Sequence, residues 1–348
     1  MIHPWLHEVW GRFVALGDRL PHALLLIGPP GAGKRDFADA AAARLLCNAP
    51  DQAGHACGNC RSCQLRLAGN HPDLFVVVPA ADALAEGTES TSPETSGKAR
   101  SAQIVIEQVR ELQQSLNVTG HQSSRRVIVI SPADAMNVYT ANALLKLLEE
   151  PPQGCTFLLV SSLPRRLLPT IRSRCQQWVF ARPRPEAVVN WLQGRGENAR
   201  ALLAVSGGMP LEAERLAARD AGASLVRFVR DVSRLPDGDP LGLAGQWDSW
   251  LKSREALDAG FGMVQLVDWM QRWVTDLAAL RLGGRVRYFP EQDDVLNALA
   301  GRASVAAVVN CYNEFSRMRR VAQHPLNARL MLEDMLLRYV RALSGSRP

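Results

Sequence analysis

The stretch Ala23 to Ala38 reads ALLLIGPPGAGKRDFA, and it narrows the possible folds more than any other feature of the chain. An apolar run passes directly into a loop carrying Gly28, Gly31 and Gly33, and an alanine-rich segment follows from Lys34. A buried strand that turns tightly into a helix in this way belongs to sheets whose strands run parallel, with helices making the crossovers. The same alternation continues downstream. Ala23–Ile27, Leu74–Val78, Val127–Ile130 and Phe157–Val160 are short apolar runs suited to buried parallel strands. Asp36–Leu46, Ile104–Leu116 and Ala141–Leu148 between them carry helical periodicity. The pattern predicts a doubly wound α/β domain over residues 1–182, with the glycine loop after its first strand.

Gly28, Gly33 and Lys34 fit G-x-x-x-x-G-K-[S/T], the phosphate-binding loop. Glycines let successive N–H groups point at phosphate, and the start of the helix adds its positive end. In such a loop Gly28, Gly31, Gly33 and Lys34 are the nucleotide-binding candidates, Lys34 reaching the outer phosphates. Hydrolysis needs more: a hydroxyl after the lysine to hold Mg²⁺, and an acid at the tip of a later strand. Arg35 stands where the hydroxyl belongs, and Val127–Ile130 runs into Ser131-Pro132-Ala133 before Asp134 appears. ATP hydrolysis is therefore not expected, and ATP binding is left open. Should nucleotide bind, Arg35 offers a fixed positive charge in place of the metal.

Cys47, Cys57, Cys60 and Cys63 give C-x9-C-x2-C-x2-C, with Gly58 and Asn59 in the turn. Four thiolates in a compact loop match tetrahedral Zn²⁺, and a shell closed by cysteine indicates a structural role rather than catalysis. A C-x2-C-x2-C run also occurs in iron–sulfur proteins, but the fourth cysteine at their usual spacing falls on Leu67. Cys155, Cys175 and Cys311 lie in apolar surroundings and are expected to be buried.

Ala80–Ala102 is rich in Ser, Thr, Glu, Ala and Gly without apolar periodicity, and reads as a flexible surface loop. Past Phe180, Pro183 and Pro185 mark a linker. Residues 183–221 form a small helical unit, broken at Ser206-Gly207-Gly208-Met209-Pro210, and 222–348 are helical with a break at Leu235–Pro240. No internal repeat is found. The net charge of +6 invites a nucleic-acid reading, but only four of the 40 basic residues are lysines. So strong a skew reflects coding bias as well as it does a phosphate track. The basic excess from 301 onward suits a solvated helical face equally. No apolar run approaches the roughly 18 residues needed to cross a bilayer. The N-terminal residues lack the pattern of a signal peptide, so the expected compartment is the cytoplasm, where disulfides are disfavoured.

Two further stretches are more specific. Asn142–Pro152 reads NALLKLLEEPP and Leu168–Cys175 reads LPTIRSRC. With HALLLIGPPGAGK they closely resemble the bacterial clamp-loader subunits of DNA polymerase III, in the AAA+ class. Within that class the chain resembles the non-hydrolysing branch rather than gamma/tau. Gamma/tau chains carry Thr or Ser after the loop lysine, an Asp-Glu pair where Ser131-Pro132 stand here, and a basic sensor where this chain has Pro210. The resemblance covers most of the chain, more weakly at His324-Pro325-Leu326-Asn327-Ala328-Arg329-Leu330 and Leu332-Glu333. It implies a RecA-like AAA+ domain (1–182) with a zinc module at 47–63, a small helical lid (183–221), and a helical collar for oligomerisation (222–348).

The same resemblance implies that Arg174, next to Ser173 in Ser-Arg-Cys, is an arginine finger projecting in trans to a neighbour's ATP. A planar guanidinium stabilises charge spreading over a transferred phosphoryl group. The implied partners are gamma/tau and delta subunits in a hetero-oligomeric ring, the sliding clamp, and primer-template DNA through the complex, with no membrane. Two rival readings stand beside it. One is an active ATPase with Asp134 or Glu149 as the missing acid. The other is a zinc-dependent DNA-binding protein, against which the cysteine loop offers few basic neighbours beyond Arg61 and Arg66.

Overall fold

A computed structural model describes residues 2–83, 101–117, 125–184, 187–188, 191, 198–322 and 327–344 of the 348-residue chain. The chain divides into two compact units, Met1–Ala187 and Val188–Pro348.

Unit one is built on a parallel sheet. Its strands are β1 (Ala23–Ile27), β2 (Leu74–Val77), β3 (Arg126–Ile130), β4 (Cys155–Ser161) and β5 (Gln176–Val179), in the spatial order β2-β3-β4-β1-β5. Four of these are the expected strands: β1 has the expected bounds, β2 is one residue shorter, β3 one longer and β4 three longer. The fifth, β5, reads QQWV with only Trp178 buried, and so gives no apolar run to find. β1 is flanked on both sides, Leu25 lying in register with Leu159 of β4 and Gln177 of β5.

Successive residues of each strand face opposite sides, and both sides are covered. Leu25, Ile128, Ile130, Phe157 and Leu159 pack with residues of α5 (Ile106–Asn117), α6 (Val138–Glu149) and α7 (Pro169–Arg174). On the other face, Phe13 of α1 (His7–Leu16) meets Trp178 and Phe37 of α2 (Lys34–Leu46) meets Phe180, while Trp10 and Phe13 pack on Phe37. Their ring centroids lie 5.1–6.3 Å apart, in mostly edge-on arrangements suited to aromatic quadrupoles. The domain is thus doubly wound, as its sequence pattern implies.

The turn out of β1 is fixed by a close approach. A Cβ on Gly28 would lie 2.3 Å from the Phe180 carbonyl oxygen. Gly33 caps α2 at φ 88°, a left-handed conformation that side chains resist. The cysteine segment follows α2 and holds α3 (Arg61–Leu67). Of the expected flexible loop at 80–102, Ala80–Ala83 form a short helix, α4, with Ala83 buried. Residues 84–100 lie outside the described residues.

Unit two is helical among its described residues. The helices are Ala199–Val205, Pro210–Ala218, Ala221–Arg234, Pro240–Leu251, Arg254–Asp258, Met263–Arg281, Asp293–Arg302, Val305–Val321 and Ala328–Leu343. A continuous core runs from Leu202 and Leu216 through Phe228, Trp247, Trp269 and Trp273 to Tyr339. The expected boundary at 221/222 falls inside this unit, at the start of Ala221–Arg234. Arg272 donates to the Val205 carbonyl, and Asp268 accepts from both Arg272 (2.5 Å) and Arg319 (2.8 Å), joining three helices. Asp276 is fully buried and accepts N–H groups from Arg287, Tyr288 and Phe289 at 2.8–2.9 Å. Most of 185–197, and His324-Pro325-Leu326, lie outside the described residues.

Four of the C-terminal arginines form surface ion pairs. Arg302 meets Asp237, Arg317 meets Glu314, Arg329 meets Glu333, and Arg338 bridges Glu314 and Asp334. Among the described residues, no single helix is long and apolar enough to cross a membrane.

Gly28→Ala would drive a methyl into the Phe180 carbonyl, and neither backbone can yield without parting β1 from β5. We expect a loss of about 1–3 kcal/mol, read as a lower midpoint in urea denaturation followed by tryptophan fluorescence.

Candidate functional site

The phosphate loop is ordered by the chain's own groups. Lys34 is almost wholly buried, and its Nζ donates to the carbonyls of Gly28 (2.8 Å) and Pro29 (2.7 Å) and to Ser162 Oγ (3.1 Å). An ammonium has three N–H bonds, and each has an acceptor. Burial lowers its pKa to about 8 against a smaller opposing pull from Asp134, so it remains protonated at pH 7. The lysine that sequence assigns to outer phosphates is here bound back onto its own loop.

The positions that decide metal handling are engaged too. Arg35 donates Nε–H to both carboxylate oxygens of Asp39 at 3.0 and 3.1 Å, one turn further along α2. Asp134 lies in a short turn after β3, and its Oδ1 accepts from Ser161 Oγ (2.5 Å), Ser162 N (2.9 Å) and Leu163 N (3.3 Å). It thus secures the end of β4, beside the loop that Ser162 supports. On the outer side, Trp5 donates Nε1–H to the Ala32 carbonyl (3.1 Å), and His3 Nε2 lies 2.7 Å from Asp36. The roles of Trp5, His3 and Ser162 were not legible in the sequence, because each is set by packing from a distant part of the chain.

The four cysteines converge as their spacing predicts. Their sulfurs all lie within 4.8 Å of one another. Cys47–Cys57, Cys47–Cys60 and Cys57–Cys63 are separated by 3.6, 3.9 and 4.0 Å. A tetrahedron with Zn–S bonds of roughly 2.3 Å has edges of roughly 3.8 Å, so the group fits such an ion. Backbone N–H groups already favour thiolates: those of Asn59 and Cys60 lower Cys57, and those of Cys63 and Asn48 bring Cys60 to about 6. Burial instead pushes Cys63 up to about 12. A divalent cation would be needed to deprotonate that fourth ligand near neutrality.

A buried relay stands behind the cluster. Asp73 donates its N–H to His71 Nδ1 (3.1 Å), which leaves the ring proton on Nε2. That nitrogen lies 2.8 Å from Ser62 Oγ, and the Ser62 hydroxyl donates to the Leu46 carbonyl (2.5 Å). Leu46 and Ser62 immediately precede Cys47 and Cys63, so the relay sets the separation of two ligand-bearing segments. Arg61 and Arg66 flank the cluster without forming any motif that pointed to Ser62 or His71.

Arg174 lies at the end of α7 and is about one-third exposed. Its Nη1 donates to the Thr170 carbonyl (3.0 Å), and Nη2 lies 2.6 Å from Glu149 Oε1 at the end of α6. Ser173 Oγ donates to the same Thr170 carbonyl (3.0 Å), bonding within its own helix. Cys175 is buried in the sheet's core, where desolvation raises its thiol to about 12. Cys155 and Cys311 are buried as expected.

Comparisons with known proteins agree along nearly the whole chain. Residues 12–184 match a family described as DNA polymerase III, delta subunit, and residues 249–341 match its C-terminal counterpart. DNA polymerase III subunit delta' of Pseudomonas aeruginosa PAO1 is 35% identical, the match covering 97% of each chain. The Escherichia coli K12 protein of the same name is 34% identical over 66% of this chain and 61% of its own. The gamma/tau subunit of Mycobacterium tuberculosis is 34% identical over 47% of this chain and 25% of its own.

Metal analysis of protein purified without chelator is expected to give one zinc per chain, lost in Cys60→Ser. Ser62→Ala breaks the relay but removes no ligand, and should weaken zinc retention about 10- to 100-fold, measured by competition with a chromogenic chelator.

Proposed function

This chain belongs to the DNA polymerase III subunit delta' family of clamp-loader subunits, and we propose that it completes the ATP site of a neighbouring gamma/tau subunit rather than running one of its own. The observation that carries this reading is the state of Lys34: all three N–H bonds of its buried ammonium are satisfied by Gly28, Pro29 and Ser162. Beside it Arg35 holds Asp39, and Asp134 secures the end of β4. The groups expected to grip Mg²⁺ and polarise water are thus absent or bonded elsewhere, which supports a subunit without hydrolysis of its own.

Arg174 supports the other half of the reading. Its guanidinium is partly exposed at a helix end, with a planar fork that suits bidentate contact with phosphate oxygens. In the assembled ring it faces the γ-phosphate on the next subunit and stabilises charge as the phosphoryl group transfers. Gamma/tau and delta subunits are its partners, and the sliding clamp and primer-template DNA are engaged through the complex. The cysteine module holds structural Zn²⁺ through Cys47, Cys57, Cys60 and Cys63. Residues 183–221 act as lid and 222–348 as collar.

The isolated protein should hydrolyse no ATP above background with Mg²⁺, and Lys34→Ala should leave that background unchanged. Metal-dependent turnover abolished by Lys34→Ala would overturn the reading in favour of an active ATPase. In a reconstituted clamp loader, Arg174→Ala should still assemble. Hydrolysis at the adjoining site should fall by ~10³ or more, with a partial loss for the whole complex because the other sites keep their own fingers. Arg174→Lys should rescue poorly, since a point charge cannot copy the fork. Arg172→Ala should behave as wild type, and equal losses for both alanine variants would reject Arg174 as the finger.

A further inference from the structure

Glu149 meets Arg174 at 2.6 Å across two helix ends, and this pairing has a consequence for the trans site. We infer that Glu149 is the positioning residue for Arg174, fixing the guanidinium before it meets a neighbour's phosphate. The inference rests on the proposal that Arg174 acts in trans.

The argument begins with side-chain freedom. An arginine at a partly exposed helix end samples many rotamers, and a finger drawn from that ensemble loses rate to the entropy of orientation. Two contacts restrict it here. Thr170 accepts from Nη1, and Glu149 accepts from Nη2. Each terminal nitrogen carries two N–H bonds and Nε carries one. With one N–H of each terminal nitrogen directed inward, the remaining donors keep the forked geometry that a phosphoryl group requires.

The two acceptors differ in kind. Thr170 belongs to the finger's own helix, α7, so its carbonyl sets only the local rotamer. Glu149 comes from α6, whose other end is capped by Asn137 accepting from Thr140 N at 2.9 Å, and whose Leu144, Leu147 and Leu148 are buried against the sheet. Glu149 therefore references the finger to the rigid core rather than to a six-residue helix. Both partners are partly exposed, about half for Glu149, so the pair adds little to global stability. Its effect falls on orientation.

The test uses the reconstituted complex and steady-state DNA-stimulated ATPase, with Glu149→Ala, Glu149→Gln, Arg174→Ala and the double alanine variant. The ordering supplied by one half-exposed ion pair corresponds to about a fivefold effect on rate. Glu149→Ala should thus lower hydrolysis at the adjoining site about fivefold, read as a whole-complex kcat between wild type and Arg174→Ala, with KM for ATP, ring assembly and melting temperature unchanged. Glu149→Gln keeps an acceptor of the same shape and should recover part of the rate. Because Glu149 acts only through Arg174, the double variant should be no slower than Arg174→Ala alone.

A wild-type or faster rate for Glu149→Ala, with Arg174→Ala impaired, overturns this inference and leaves the finger standing. A double variant slower than Arg174→Ala also overturns it, because Glu149 would then act independently. If Arg174→Ala is itself without effect, the finger reading fails and this inference fails with it.

Discussion

The placement of β1 between β4 and β5 is the constraint on which the rest of unit one depends. A strand paired on both sides and covered on both faces leaves its following loop little freedom. The loop must clear the end of β5, where only glycine fits at 28 against Phe180, and it must face the end of β4, where Ser161 and Ser162 lie. Burying Lys34 in that corner requires acceptors for an ammonium in a poorly solvated place. The loop's own carbonyls and Ser162 supply them. Asp134 in turn holds Ser161 and Ser162, so the lysine, the β4 terminus and the turn after β3 form one bonded unit.

The cysteine module repeats this logic at the far end of α2. Cys47 follows the helix directly, so the position of one ligand is inherited from the packing of Phe37, Ala41 and Leu46 in the core. The other three ligands come from a short excursion that ends in α3. Arg44 donates to the Gly54 carbonyl within the excursion, and Cys57 N donates to Cys47 Sγ, so several bonds tie the two segments. The buried Ser62–His71 relay adds a bond to the Leu46 carbonyl, next to Cys47 itself, and the low exposure of both residues keeps water from competing for it.

Electrostatics divide unit one between inward and outward uses of its cations. Lys34 is enclosed and fully bonded, so it acts on the fold. Arg174 keeps solvent access, and Glu149 and Thr170 each take one N–H of its terminal nitrogens, which leaves further donors at the surface. That contrast is what the proposed division of labour requires: Lys34 bonded inward and Arg174 at the surface. In unit two the arginines are mostly bound to nearby acids on helical faces. The basic balance of the chain therefore says less about nucleic acid than its net charge suggests.

Much of this was legible from residues alone, for reasons that can be named. Strand–glycine–helix order, the four apolar strands and the C-x9-C-x2-C-x2-C spacing are local, and local chemistry fixes them: glycine's backbone range, apolar periodicity and thiolate geometry. The absence of a hydroxyl at Arg35 and of an acid after Ile130 is equally a fact of sequence. What the sequence could not yield depends on contacts between distant segments. β5 is not legible in the sequence because an edge strand that buries only Trp178 carries no apolar run. Ser62 meets His71, Ser162 meets Lys34, and Glu149 meets Arg174 only in the folded chain. Hydrogen bonds and ion pairs act over about 3 Å, whereas these partners are separated along the chain by intervals that no residue pattern encodes. The sequence determined which chemical groups this protein possesses, and the tertiary structure decided which of them are bonded inward and which lie at the surface, because those contacts form only between segments brought together by the fold.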